Sequence, residues 1–202
     1  MKVFLFLYPI EECFTHGSIA QALVRFRKRR LDPDYLNEII RARYREKGYR
    51  ITWLLFSDPC DVSVPDFSSL SSRMRTTDGD TFLPCGIDAE RHRKERLYPD
   101  PDAILSQLPK GITSLVLGGF HQWDCVSKIG EAAHKHGMPV VVDEDTTDHF
   151  FLSMLARGSI PIVRPLHCAV DDVLQEATSQ AMREIICEQR KDKPWFSQPS
   201  TR

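Results

Sequence analysis

The sequence predicts an α/β fold: a three-layer α/β/α sandwich around a mainly parallel, Rossmann-like sheet. Three observations carry this. Short apolar runs recur along the chain, and the first of them, from Lys2 to Leu7, is continuous rather than alternating. Continuous runs mark strands buried on both faces. Stretches with apolar residues at helical spacing fall between the runs. Strand–helix alternation then implies right-handed crossovers and a parallel sheet covered on both sides. With 202 residues, the chain is long enough for one such domain, expected over 1–190.

The elements follow in order. Lys2 to Leu7 reads as the first strand. A helical stretch runs from about Ser18 to Lys47, interrupted near Asp32-Pro33. Ser18 can cap its start, and Ile19, Ala22, Leu23 and Phe26 give the apolar face. Asp32 before Pro33 reads as a fresh N-cap with proline at the first helical position. Tyr35, Leu36, Ile39, Ile40 and Tyr44 carry the second helix, and Gly48 stops it. Arg50 to Phe56 is the second strand. Residues 57–97 lack clean periodicity and read as an irregular excursion near the site, with short elements. Asp102 to Leu108 is a short helix, and Ile112 to Leu117 the third strand, expected beside the first. A helix runs from Cys125 to His136 and stops at Gly137. Pro139 to Val142 is the fourth strand. Asp145 to Ala156 reads as helix, Ile160 to Val163 as a fifth strand and Val170 to Arg190 as the last helix. The tail, 191–202, is polar and proline-bearing and is expected to be loose.

Composition excludes several function classes. The net charge of −1 gives no reason to expect nucleic acid or a membrane surface as partner. No run reaches the ~18 apolar residues of a membrane-spanning helix. The apolar start meets Pro9 and Glu11-Glu12 without a small-residue cleavage site, so it reads as a buried strand rather than a signal peptide. The six cysteines, 13, 60, 85, 125, 168 and 187, form no C-x-x-C pair. They suit a reduced, cytoplasmic protein better than a disulfide framework or zinc site.

In open α/β sheets, ligands bind outside the carboxyl ends of the strands. That places Tyr8–Cys13, Ser57–Asp61, Gly118–Cys125 and Asp143–Asp148 around one crevice. Cys125 opens a helix there, where unpaired N–H groups and the helix dipole favour a thiolate, although the Asp124 carboxylate opposes it. The segment Gly119-Phe120-His121-Gln122-Trp123-Asp124-Cys125-Val126 keeps a glycine, five residues, then Cys-Val opening a helix. Gly137 and the acidic-ended strand Val140-Val141-Val142-Asp143-Glu144-Asp145 follow. Over about Leu105 to Phe151, this organisation resembles the isochorismatase-like cysteine hydrolases.

The resemblance implies a hydrolase acting on a small amide, imide or related C–N bond, without a cofactor, and an oligomer, here a homodimer. The family's triad is Asp, Lys and Cys. Cys125 matches the nucleophile, and Lys94 has suitable spacing for the lysine. The aspartate that should close the first strand is missing; the sequence there reads Leu7-Tyr8-Pro9-Ile10-Glu11-Glu12. Glu11 or Glu12 is the candidate substitute from one turn further along. Tyr8, Gly119, His121, Gln122, Trp123 and Asp124 are the candidate substrate-binding residues, with backbone N–H groups near Gln122 to Cys125 available to an oxyanion. Two alternatives stand beside this. Asp143, Asp145, Asp148 and His149, with Glu144 between them and His121 and Asp124 on the adjacent strand, suit a metal-dependent hydrolase. The same crevice also suits a non-catalytic small-ligand or partner-binding protein. The basic run Arg25–Arg30 reads as a solvated helix face.

Overall fold

The computed structural model describes residues 1–15, 33–147, 187–188 and 190–196. The helix expected from Ser18 with its basic run, the segment 148–156, the strand at 160–163 and most of the helix at 170–190 lie outside these residues. The apolar stripe of that last helix, through Val173, Leu174, Ala177, Ala181, Ile185 and Ile186, which would carry the expected homodimer contact, lies outside them too.

The described chain builds a five-stranded sheet flanked by helices. Strands β1 (Lys2–Leu7), β2 (Arg50–Leu55), β3 (Thr81–Pro84), β4 (Ser114–Gly119) and β5 (Val140–Thr147) lie in the order β3-β2-β1-β4-β5. Every neighbouring pair is parallel. The expected neighbours β1 and β4 pair from Lys2 with Ser114 to Leu7 with Gly119. Val3 to Leu7 are fully buried, as a continuous apolar run in the middle of a covered sheet requires. Helix α1 spans Glu11–Thr15, α2 Pro33–Ile39, α3 Ala89–Glu95, α4 Pro101–Ser106 and α5 Ser127–Lys135. Pro33 does open α2, which widens into a π-helical stretch at Ile40–Tyr44, tightens into a 3-10 turn at Arg45–Lys47 and ends at left-handed Gly48, φ 74°. Among the described residues, no helix is long and apolar enough to cross a membrane.

The excursion at 57–97 is more ordered than expected. It holds β3, whose four residues are too short to display a period, and α3, whose sequence AERHRKE buries no side chain and so shows no apolar stripe. Asp88 caps α3 by accepting from the Arg91 N–H at 2.9 Å.

The end of β5 departs from the expectation. Asp145 is not the cap of a new helix; the strand continues through it to Thr147, with a register break between Leu117 and Gly119 of β4. Thr146 and Thr147 are fully buried, and buried carboxylates on this stretch have partners from elsewhere in the chain. Polar residues thus occupy a covered strand that an apolar run could not announce.

The tail is not loose over its described part. Trp195 and Phe196 are buried, and the Trp195 carbonyl accepts from the Val142 N–H at 2.8 Å. Trp195 lies over Gly130 of α5, where even a Cβ would stand 2.6 Å from the indole. Two aromatic side chains outweigh the polar residues around them once a glycine leaves room to dock.

Candidate functional site

β1 and β4 lie side by side, but β1 has β2 on its other flank and β4 has β5. The chain therefore leaves their carboxyl ends in opposite directions, which opens a crevice between them. Two unusual backbone positions form its floor. Tyr8, just after β1, has φ 54°, a left-handed conformation uncommon for a bulky side chain. It is held by its N–H to the Leu54 carbonyl at 2.9 Å and by its carbonyl, which accepts from Ile10 N–H at 2.7 Å. Gly119, ending β4, has φ 99°, and a Cβ there would overlap the Leu7 backbone. Only glycine allows β4 to turn this close to β1.

From that turn the chain enters a π-type turn, Gln122–Val126, that runs straight into α5. Cys125 lies in it and lines a cavity of about 340 Å³. Tyr8, Ile10, Glu12 and Cys13 enter the cavity from the end of β1 and α1, and Phe56 from the end of β2. His92 and Arg93 enter from α3, and Phe120 and His121 from the β4 turn. The walls are largely aromatic: Tyr8 stacks on Phe56 with centroids 4.6 Å apart, and His92 lies 5.4 Å from Phe56.

The thiol is not the thiolate that a helix start alone predicts. Cys125 is only 6% exposed. Burial, then the adjacent Asp124 carboxylate, push its pKa up to about 12, outweighing the lowering contributions of the Tyr8 hydroxyl and Lys128. The Tyr8 hydroxyl is buried against the thiols of Cys125 and Cys85. Burial raises it well above the ordinary phenol range, and the thiols of Cys125 and Cys85 add to the shift. Cys85, after β3, is also raised, mainly by burial, and its Sγ donates to the Ile87 carbonyl at 3.2 Å. Burial thus shifts one phenol and two thiols together toward their neutral forms, with Tyr8 and Cys125 of the three lining the cavity.

The other expected residues divide. Tyr8, Glu12 and His121 do line the cavity with Cys125. Glu12 is bound by the Arg93 guanidinium. Glu11 instead accepts from the Ser71 hydroxyl. Lys94 does not reach the crevice: it is exposed and pairs with Glu90 one turn back along α3 at 2.5 Å. The helix that carries it presents His92 and Arg93 to the cavity in its place. Gln122 is fully buried and turned toward β5, accepting from the Thr147 hydroxyl at 3.0 Å. Gly119 serves the turn, and Asp124 pairs with Lys128 at 2.7 Å. The Trp123 side chain lies outside the described residues.

The acidic cluster on β5 is occupied from within. Asp143 accepts from the Tyr44 hydroxyl and pairs with Arg43 at 3.2 Å. Glu144 pairs with Arg190 at 2.6 Å, both side chains essentially inaccessible. Among the described residues no group of three or more His, Cys, Asp or Glu is placed to hold a metal. Asp148 and His149 lie outside them, as does the Asp145 side chain.

Sequence reasoning missed Phe56, His92 and Arg93. The strand-end rule could have found Phe56, which closes β2. His92 and Arg93 were hidden in a run of charges with no periodicity.

Known structures with this architecture are readily found. A pyrazinamidase from Pyrococcus horikoshii, solved with zinc, superposes with TM-score 0.51 at 11% identity, covering 99% of each chain. An isochorismatase family protein gives 0.50 at 14% identity over 98% of each chain. The chain is isochorismatase-like in fold. A family member from Desulfovibrio vulgaris adds a TM-score of 0.50 at 15% identity, covering 86% of this chain and 97% of its own. No family model matches the isochorismatase-like chain, and no curated protein matches it in sequence.

Proposed function

We propose that this chain is a hydrolase of small C–N bonds, amides or imides, with Cys125 as nucleophile. The observation that carries the reading is the position of Cys125. It lies on the turn leading into α5, at the point where the sheet's connections diverge, and faces a cavity of small-molecule size. The fold shared with a protein named as a pyrazinamidase supports the amide class.

A thiol with pKa about 12 is protonated at neutral pH, so attack on a carbonyl carbon must be accompanied by proton removal. The cysteine then behaves as an activated serine does rather than as a standing thiolate. The oxyanion needs backbone donors. Asp124 N–H is committed to the His121 carbonyl at 3.1 Å, so the Cys125 N–H, on the nucleophile itself, is the candidate on this turn. The test is turnover of a panel of small amides and imides by wild type and by Cys125→Ala. The variant should lose activity by several orders of magnitude; full activity in the variant ends the proposal.

One observation favours a second reading. Tyr8 stands where the family pattern has a carboxylate, and Lys94 faces Glu90 instead of the crevice. A crevice so changed binds a small molecule without cleaving it. Ligands that raise the melting temperature while neither protein turns them over distinguish this outcome.

A further inference from the structure

If Cys125 attacks as a neutral thiol, some group must take its proton, and the residues first nominated for this are engaged. Glu12 is bound by Arg93, Glu11 by Ser71 and Asp124 by Lys128. Lys94 faces away. Two imidazoles, His92 and His121, line the cavity with the thiol.

His92 has the better-prepared geometry. Its Nδ1 lies 2.6 Å from the Leu97 carbonyl, which can only accept, so Nδ1 carries the hydrogen. The neutral ring therefore holds its lone pair at Nε2. This is the logic of a base oriented by a third group. The ring is half-buried and pinned by aromatic neighbours: Tyr8 at 6.3 Å, Phe56 at 5.4 Å and Tyr98 at 5.5 Å. Tyr8 is also the residue whose hydroxyl interacts with Cys125. The main chain of His121, by contrast, is bound into the turn, its carbonyl accepting from Asp124 and Val126.

We infer that His92 is the general base of this site, taking the Cys125 thiol proton at Nε2 and passing it to the leaving nitrogen. The inference rests on the hydrolase reading above. In the first half-reaction, Sγ bonds to the carbonyl carbon as the proton moves to Nε2. The C–N bond then breaks, and the amine departs with that proton, leaving a thioester. Water next attacks the thioester while Nε2 takes one of its protons. The C–S bond breaks, the acid is released, and the proton returns to Sγ. Overall, an amide and water give an acid and an amine.

The ionisable groups beside His92 are the Tyr8 phenol just after β1, Tyr98 from the α3–α4 connection, and the Arg93–Glu12 pair. Cys125 and His121 line the same cavity.

The experiment follows acylation of Cys125 by p-nitrophenyl acetate, read as the nitrophenolate burst and as an acetyl mass on the Cys125 peptide. In wild type, the burst rate should rise with pH through a single inflection. His92→Gln should slow it by about 10²-fold or more and abolish that inflection. His92→Phe, which keeps a ring for the aromatic contacts, should do the same. Added imidazole should restore part of the rate in His92→Ala. A wild-type profile without this inflection overturns the inference even if no variant folds. So does an unchanged burst in His92→Gln, or loss of the inflection in His121→Gln instead. In all three cases Cys125 still acylates and the hydrolase reading survives. Absence of any Cys125 acylation in wild type overturns both together.

Discussion

Two regions of this molecule are rich in charged and ionisable residues at the carboxyl ends of its strands, and they have opposite fates. The crevice between β1 and β4 keeps His92, His121 and the Arg93–Glu12 pair around an open cavity. At the end of β5, Asp143 is taken up by Arg43 and Tyr44, and Glu144 is sealed against Arg190. The difference teaches that density of carboxylates does not make a site. What matters is whether the rest of the chain supplies the counter-ions. A carboxylate whose charge is already met by a buried arginine is a structural part, and its removal breaks that buried pair.

Four measurements break or sharpen that contrast. The largest effect is on thiol chemistry. With a pKa of about 12 against roughly 8.5 for a free thiol, Cys125 should carry about three thousandfold less thiolate at neutral pH. Iodoacetamide should therefore label it far more slowly than free cysteine; labelling at the free-cysteine rate shows that the crevice activates the thiol in its resting state. Next comes the buried pair. Glu144→Ala should destabilise the fold by about 3–5 kcal/mol by breaking a buried ion pair, measured by urea unfolding. A loss below about 1 kcal/mol means that the β5 cluster is not the structural element described.

Third, alkaline pH should weaken the fold. Cys125 has a folded pKa raised above its unfolded value, so its contribution is complete below about 8.5–9 and is lost progressively as pH rises toward 12. Tyr8 and Cys85 are raised too and act in the same direction. The melting temperature should fall over that window, and less steeply in Cys125→Ala; identical slopes contradict the burial of this group. The smallest effect belongs to the crevice pair. Both partners are about half exposed, so Glu12→Gln should change stability by less than about 1 kcal/mol. A larger loss would move that pair into the structural class with Glu144.

Most of the sheet was legible because its strands are continuous apolar runs, and the pairing of β1 with β4 followed from connection rules. Cys125 was legible because a glycine turn and a helix start bracket it. Lys94 misled because a seven-residue helix of charged and small side chains carries no phase. Nothing in AERHRKE says which residue faces inward, and two positions decide between solvent and cavity. The end of β5 was unreadable for a related reason. Its buried carboxylates depend on Arg43, Tyr44 and Arg190, partners far away in sequence. The direction of the thiol shift was unreadable too, since burial is a property of the whole fold.

The docking of Trp195 has a consequence for how the chain is made. The Val142 N–H of β5 and the notch over Gly130 are both satisfied by a residue synthesised long after them. A growing chain on the ribosome that has completed β5 but not yet released Trp195 exposes an unpaired backbone donor beside an apolar hollow. Such surfaces invite wrong partners. Closure of this face therefore waits for an indole made more than fifty residues after β5 begins, and that interval is when a chaperone has most to protect.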